Sequence, residues 1–235
     1  DAGITTVVMD TDITLSVTFL EDTNMDSVPD REEWGLDGQN NTFDVNGDGI
    51  ADYLESNVAS IHTTDYLHFL TLSTPEPGRI GSCKMKDAAS IANMPSECTL
   101  PLGLISYKIE NLVPGANTTL TINLPSGSEF DTYYKYGATL DYPTAHWYEF
   151  MYDQTSETGA VLEGNTITLY LKDGQQGDDD LSANGTISDP GGPGILEAED
   201  NTTPTLPTHQ ISGGEKTGSG SSVGCFIDSI SNASF

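Results

Sequence analysis

Along the middle of the chain, short runs carry an apolar residue at every second position. The clearest are Ile105, Tyr107 and Ile109, then Leu120, Ile122 and Leu124, then Ile167, Leu169 and Leu171. A period of two places alternate side chains on one face of a strand, so each run predicts a strand with one buried face. The pattern predicts strands over Tyr66–Leu72, Leu104–Leu112, Thr118–Leu124, Thr132–Tyr136, Trp147–Asp153, Asn165–Leu171 and Leu181–Ser188. Turn residues separate them, including Pro114-Gly115, Pro125-Ser126-Gly127 and Gly164-Asn165. Short strands with regular turn signals and no long amphipathic helix predict a mainly β chain, an antiparallel β-sandwich over residues 59–194.

The flanks are patterned differently. Residues 1–20 end in an alternating stretch, Ile13–Leu20, that predicts a strand. Residues 21–58 are polar and loop-like, with a short helix expected from Asp52 to about Ala59. A segment so poor in apolar side chains has little core of its own, and its order is expected to depend on bound metal. After Pro190-Gly-Gly-Pro-Gly194 the alternation is expected to stop. Residues 195–235 then read as an extended tail, a Gly/Ser/Thr/Pro linker followed by the apolar island Cys225–Ile230.

The polar N-terminal segment carries the strongest chemical pattern. Asp22, Asn24, Asp26, Asp30 and Glu33 occupy positions 1, 3, 5, 9 and 12 of one twelve-residue loop, and Asp44, Asn46, Asp48, Asp52 and Glu55 repeat that spacing in a second. Position 7, Val28 or Ile50, offers its main-chain carbonyl. Hard oxygen donors at these intervals wrap a single calcium ion, with the terminal glutamate able to give two oxygens. One ion per loop is expected, about two in all. Gly49 stands at position 6 of the second loop, where the backbone turns sharply, and Ser27 takes that place in the first. A helical calcium sensor needs an amphipathic helix on both sides of each loop. The strand-like flank argues instead for a structural site.

Charge narrows the partners. The chain has 36 acidic and 8 basic residues, a formal charge of -28. Such a surface repels nucleic acid and anionic lipid and attracts divalent cations. No run of apolar residues is long enough to span a membrane. The chain opens at Asp1 without a basic and apolar leader, so any export signal is expected to have been removed. Of the three cysteines, Cys83 and Cys98 are close enough in sequence for a disulfide closing a loop of about 15 residues, with a stabilisation of about 3 kcal/mol. Two free thiols are the alternative, and Cys225 is left over.

Candidates for catalysis are few. His62, His68, His146 and His209 have no zinc-like spacing. No nucleophile elbow or phosphate-binding glycine loop is present, and nothing selects one carboxylate pair for glycoside hydrolysis. The chain is therefore read as not an enzyme. Asp178, Asp179 and Asp180, near Asp173 and Asp189, form either a third cation site or a solvated turn. The aromatics Tyr133, Tyr134, Tyr136, Trp147, Tyr148, Phe150 and Tyr152 are either strand faces or a sugar-binding platform.

Two resemblances add to this reading. The paired loops, with Val28-Pro29-Asp30 and Gly49-Ile50-Ala51-Asp52, resemble bacterial thrombospondin type 3 repeats, which implies calcium-rigidified spacers in secreted proteins. Tyr107–Gly115, Thr132–Gly137, Trp147–Phe150, Gly164–Gly174 and Gly177–Gly194 resemble the choice-of-anchor U domain of bacterial surface proteins, to which no catalytic activity is attached. Gly224-Cys225-Phe226-Ile227 is similar to the start of a C-terminal Cys-Phe-Ile box, although Asp228–Phe235 departs from its small, Ala-rich continuation. Together they imply an extracellular, non-enzymatic structural protein of a bacterial cell surface, with a surface partner or self-association. The alternatives are a filament or surface-layer subunit joined by strand addition of the terminal segment, and a carbohydrate-binding or hydrolytic module.

Overall fold

The computed structural model describes residues 20–197. The expected strand over Ile13–Leu20, apart from Leu20 itself, and the tail beyond residue 197, with Cys225 and the Cys-Phe-Ile segment, lie outside the described residues.

Eleven strands are described: β1 (Val58–His62), β2 (Phe69–Ser73), β3 (Arg79–Lys86), β4 (Cys98–Thr99), β5 (Leu104–Glu110), β6 (Asn117–Asn123), β7 (Thr132–Gly137), β8 (His146–Glu149), β9 (Gly159–Glu163), β10 (Thr166–Lys172) and β11 (Ile187–Leu196). All pair antiparallel, in two sheets ordered β1-β2-β6-β10-β9 and β3-β5-β11-β7-β8, with β4 attached to the end of β11. The sheets pack face to face, which is the β-sandwich. The alternating positions named above supply the core: Ile105, Tyr107 and Ile109 from one sheet meet Leu120, Ile122, Ile167, Leu169 and Leu171 from the other. Buried apolar area of this kind is the main favourable contribution to folding. Among the described residues, no helix is long and apolar enough to cross a membrane.

Four sequence expectations need correction, the simplest being the strand over Leu181–Ser188, of which only Ile187 and Ser188 are strand, as the start of β11, because a loop fills 181–186. The helix expected from Asp52 to about Ala59 is a single 3-10 turn, Asp52–Leu54, and β1 begins at Val58. Val58, Ala59 and Ser60 are all fully buried, so burial on both faces hides the alternation that marks a strand. The third correction concerns Pro190–Gly194, which does not end the fold. β11 runs through it as the central strand of its sheet, pairing first with β5, then with β7. Glycines let neighbours approach there: a side chain at Gly191 would run into the Tyr133 ring, and one at Gly192 into the Gly103 carbonyl.

The fourth correction is the disulfide. Cys83 and Cys98 are both free and buried. Cys83 points between the sheets with Ile105 and Tyr107, whereas Cys98 packs with Leu100 and Leu104. Leu104 and Ile105 are neighbours on β5 and face opposite ways, so the sheet itself separates the two thiols.

Candidate cation-binding site

The two acidic loops fold as a structural repeat. In each, the position-9 amide bonds the carbonyl just before the loop: Asp30 N to Glu21 O at 2.8 Å, and Asp52 N to Phe43 O at 2.9 Å. The position-2 amides, Thr23 N and Val45 N, donate to the carboxylates of Asp30 and Asp52. Position-7 amides donate back to position 5, Val28 N to Asp26 at 2.7 Å and Ile50 N to Asp48 at 2.8 Å. The amides of Ser27 and Gly49 donate to Asp22 and Asp44. Asn24 and Asn46 reach across to Glu33 and Glu55. Each loop then closes in a 3-10 turn, Asp30–Glu33 or Asp52–Leu54.

Backbone geometry repeats as well. Position 4 is left-handed in both loops (Met25 φ 60°, Gly47 φ 74°), and so is position 6 (Ser27 φ 72°, Gly49 φ 92°). Two left-handed residues per loop give both loops the same sharp turns, with the amides that follow bonding back to loop side chains. Ser27 holds without glycine the same turn that Gly49 makes freely.

Burial divides the predicted ligands. Asn24, Asp26, Val28, Asp30 and Glu33 of the first loop are buried, and Asp22 half-buried. In the second loop Asp52 and Glu55 are buried, Asp44 is half-buried, and Asn46, Asp48 and Ile50 are exposed. Asp26, Glu33 and Asp52 are 0 % exposed. Asp26 Oδ2 has no hydrogen-bond partner at all.

Among the described residues no loop acid is ion-paired, and the one guanidinium that reaches the first loop from outside it, that of Arg79, donates to the Met25 carbonyl and not to a carboxylate. Arg31 is the only basic residue before Arg79. The ion pairs among the described residues are Arg79–Glu110 and Lys135–Asp189, neither of which involves a loop acid. Burial consequently pushes Glu33 up to about 9, with the nearby Asp26 charge adding to the effect. Burial likewise pushes Asp26 up to about 7, again with a neighbouring acid (Asp22) contributing. Glu55 rises to about 7, and Asp52 is raised, both through burial first. Without a cation these carboxyls hold protons that an ordinary surface acid has lost.

The donor set is all oxygen and suits a hard divalent cation such as calcium. Counting only His, Cys, Asp and Glu, no group of three among the described residues converges at metal-holding spacing. The remaining oxygens of the pattern are those of the Asn24 and Asn46 side chains, which accept from the Asp26 and Asp48 amides, and the Val28 and Ile50 carbonyls; several carboxylate oxygens are likewise taken up by loop amides.

One residue outside the repeat joins the two loops. Ser60, on β1, donates its amide to Glu33 at 2.9 Å and its hydroxyl to Asp52 at 2.6 Å. The same hydroxyl lies 2.6 Å from Thr71 Oγ1. Ser60 sits in no motif, and no spacing rule could have singled it out. The first loop also bridges the open side of the sandwich. Its Asp26 carbonyl accepts from Cys83 N of β3 at 2.7 Å, Asn24 reaches the Val58 carbonyl of β1, and Val28 enters the core.

Several residues of the other candidates make structural contacts. Asp173 accepts from the amides of Gly115, Asn184 and Gly185, and Asp178 from those of Gly174 and Ser188, so these acids tie turns together. Tyr133 is fully buried between the sheets, whereas Trp147 packs on the outer cluster and donates to the Ala92 carbonyl. The two aromatics line no common groove. Compared with family models, curated proteins and solved structures, the chain matches none of them.

Proposed function

We propose that this chain is a non-enzymatic, extracellular structural protein of a bacterial cell surface, a β-sandwich fastened by calcium ions in the loops Asp22–Glu33 and Asp44–Glu55. The observation that carries the reading is the burial of Asp26, Glu33 and Asp52, of which only Arg31 stands near in sequence as a base and none is ion-paired. Buried carboxylates without a counter-charge are costly, and a bound divalent cation removes that cost. Extracellular calcium is abundant enough to fill sites of modest affinity. When bound, the ion supplies charge neutralisation and cross-linking of oxygens. Asp22, Asn24, Asp26, Asp30 and Glu33 with the Val28 carbonyl would hold one, and Asp44, Asn46, Asp48, Asp52 and Glu55 with the Ile50 carbonyl the other.

The test is calorimetric titration of calcium into chelator-stripped protein, beside a variant carrying both Glu33→Gln and Glu55→Gln. Saturable heat in the parent that disappears in the variant supports the proposal. Absence of calcium heat at millimolar concentration, with magnesium equally silent, would overturn it. The placement of the loops favours a fastening role over that of a free spacer, because they are hydrogen-bonded to β1 and β3 rather than standing clear of the sandwich.

A further inference from the structure

Deep in the sandwich, away from the acidic loops, Lys135 of β7 lies against Asp189 of β11. Both face the space between the sheets: Lys135 pairs with Gly191 across the two strands, and Asp189 is two residues from Gly191 on the same face. Their side chains are 2 % and 0 % exposed, with Lys135 Nζ 2.8 Å from Asp189 Oδ2. Around them are Tyr107, Tyr133 and Phe150, all buried, and Lys135 Nζ sits 4.3 Å from the centre of the Phe150 ring. The one aligned hydrogen bond of the amine goes to the Gly177 carbonyl, at 2.6 Å.

The contact is close without being hydrogen-bonded. Neither oxygen of Asp189 has an aligned hydrogen-bond donor, although the amine is at contact distance. A buried ion pair repays its desolvation only when its geometry is good and its remaining oxygens are satisfied, and this pair, although at 2.8 Å, lacks the aligned donor geometry that this requires. Burial lowers the basicity of Lys135 and raises the affinity of Asp189 for a proton, so both shifts favour a neutral amine beside a neutral acid. The buried hydroxyls of Tyr107 and Tyr133 lie beside this carboxyl, and protic groups of this kind can relay the proton.

We propose that Lys135 and Asp189 join covalently as an intramolecular isopeptide bond between β7 and β11. The neutral amine of Lys135 attacks Asp189 Cγ. A bond forms between Nζ and Cγ, the bond from Cγ to one carboxyl oxygen breaks, and that oxygen leaves as water with the two protons the reaction releases. The reaction is a condensation: nothing is oxidised or reduced and no co-reactant is needed. It replaces a buried amine and a buried acid with one neutral amide and ties the central strand of its sheet to its neighbour. The inference is independent of the calcium reading.

The experiment is mass spectrometry of the reduced, denatured full chain, followed by peptide mapping. The expected result is a chain lighter than its sequence by one water, no tryptic cleavage after Lys135, and a branched peptide joining the segments that carry Lys135 and Asp189. The variants Lys135→Arg and Asp189→Ala should regain the full mass. Should either fail to fold, the branched peptide from the parent chain still decides the matter. A parent chain at full sequence mass overturns the proposal, as does a lost water with Lys135 recovered in a linear peptide.

Discussion

At the scale of single residues, the loop acids should respond to neutralisation in opposite directions with and without calcium. Asp26 and Glu33 are buried and unpaired by any base. In chelator above about pH 7, where Asp26 is ionised, Asp26→Asn removes a buried charge whose Oδ2 has no partner, so it should stabilise the protein by about 1–3 kcal/mol. In calcium the same change deletes a ligand and should destabilise relative to the parent. Paired melting curves in the two conditions check this, and a variant that shifts the same way in both would show that Asp26 plays no part in cation binding. The pH dependence has a definite sign. Glu33 at about 9 and Asp26 at about 7 lie above the ordinary carboxyl range, so the folded, metal-free protein binds more protons than the unfolded chain between about pH 4 and 9. Their contribution is therefore fully present below the unfolded pKa and is lost as pH rises through 7 and then 9. Melting temperature in chelator should fall over that window, and excess calcium should flatten the fall because the ion replaces the protons.

At the scale of elements, Ser60 and Arg31 report on how the loops are attached. Ser60→Ala deletes the hydroxyl contacts to Asp52 and Thr71 and leaves the amide bond to Glu33, and it should cost about 1 kcal/mol. Chemical denaturation measures that loss. Arg31 is exposed, sits inside the first loop's closing turn, and is the only trypsin site before Arg79. In calcium this site should resist trypsin, and in chelator it should be cut first. Equal cleavage in both conditions would mean that the loop's order does not depend on the ion. Legibility also varied by element. Strands with one wet face, such as β5, β6 and β10, declare themselves through alternation. β1 is fully buried over Val58–Ser60 and carries no such signal, while β11 hides its strand character behind the glycines that its crowded neighbours require.

At the scale of the whole molecule, the first loop and β1 close one side of the sandwich, and the segment after β8 closes the other. There Phe150 N donates to the Tyr133 carbonyl, and Ala160 N of β9 to the Phe150 carbonyl. With Val28 in the common core, calcium should act on the entire sandwich and not on a detachable arm. At free calcium about a hundredfold above Kd, each occupied loop should raise the melting temperature by about 5–10 °C in a single cooperative transition. A calorimetric trace in which chelation adds a separate early peak, with the main one unmoved, would contradict a fastening role.

The sequence by itself determined the mainly β character, the buried face of the alternating strands and the matching oxygen-donor spacing of both loops, because these depend on local periodicity and on offsets within twelve residues. It also determined that the loops carry almost no base to offset their acids. Only the tertiary structure decided which oxygens are buried, that Ser60 joins Glu33 to Asp52, and that Cys83 and Cys98 stand on opposite faces of one sheet. It alone placed Lys135 against Asp189. These relations are between residues distant in the chain, or follow from which face of a sheet a side chain takes, and packing between the sheets sets them with no trace in local pattern.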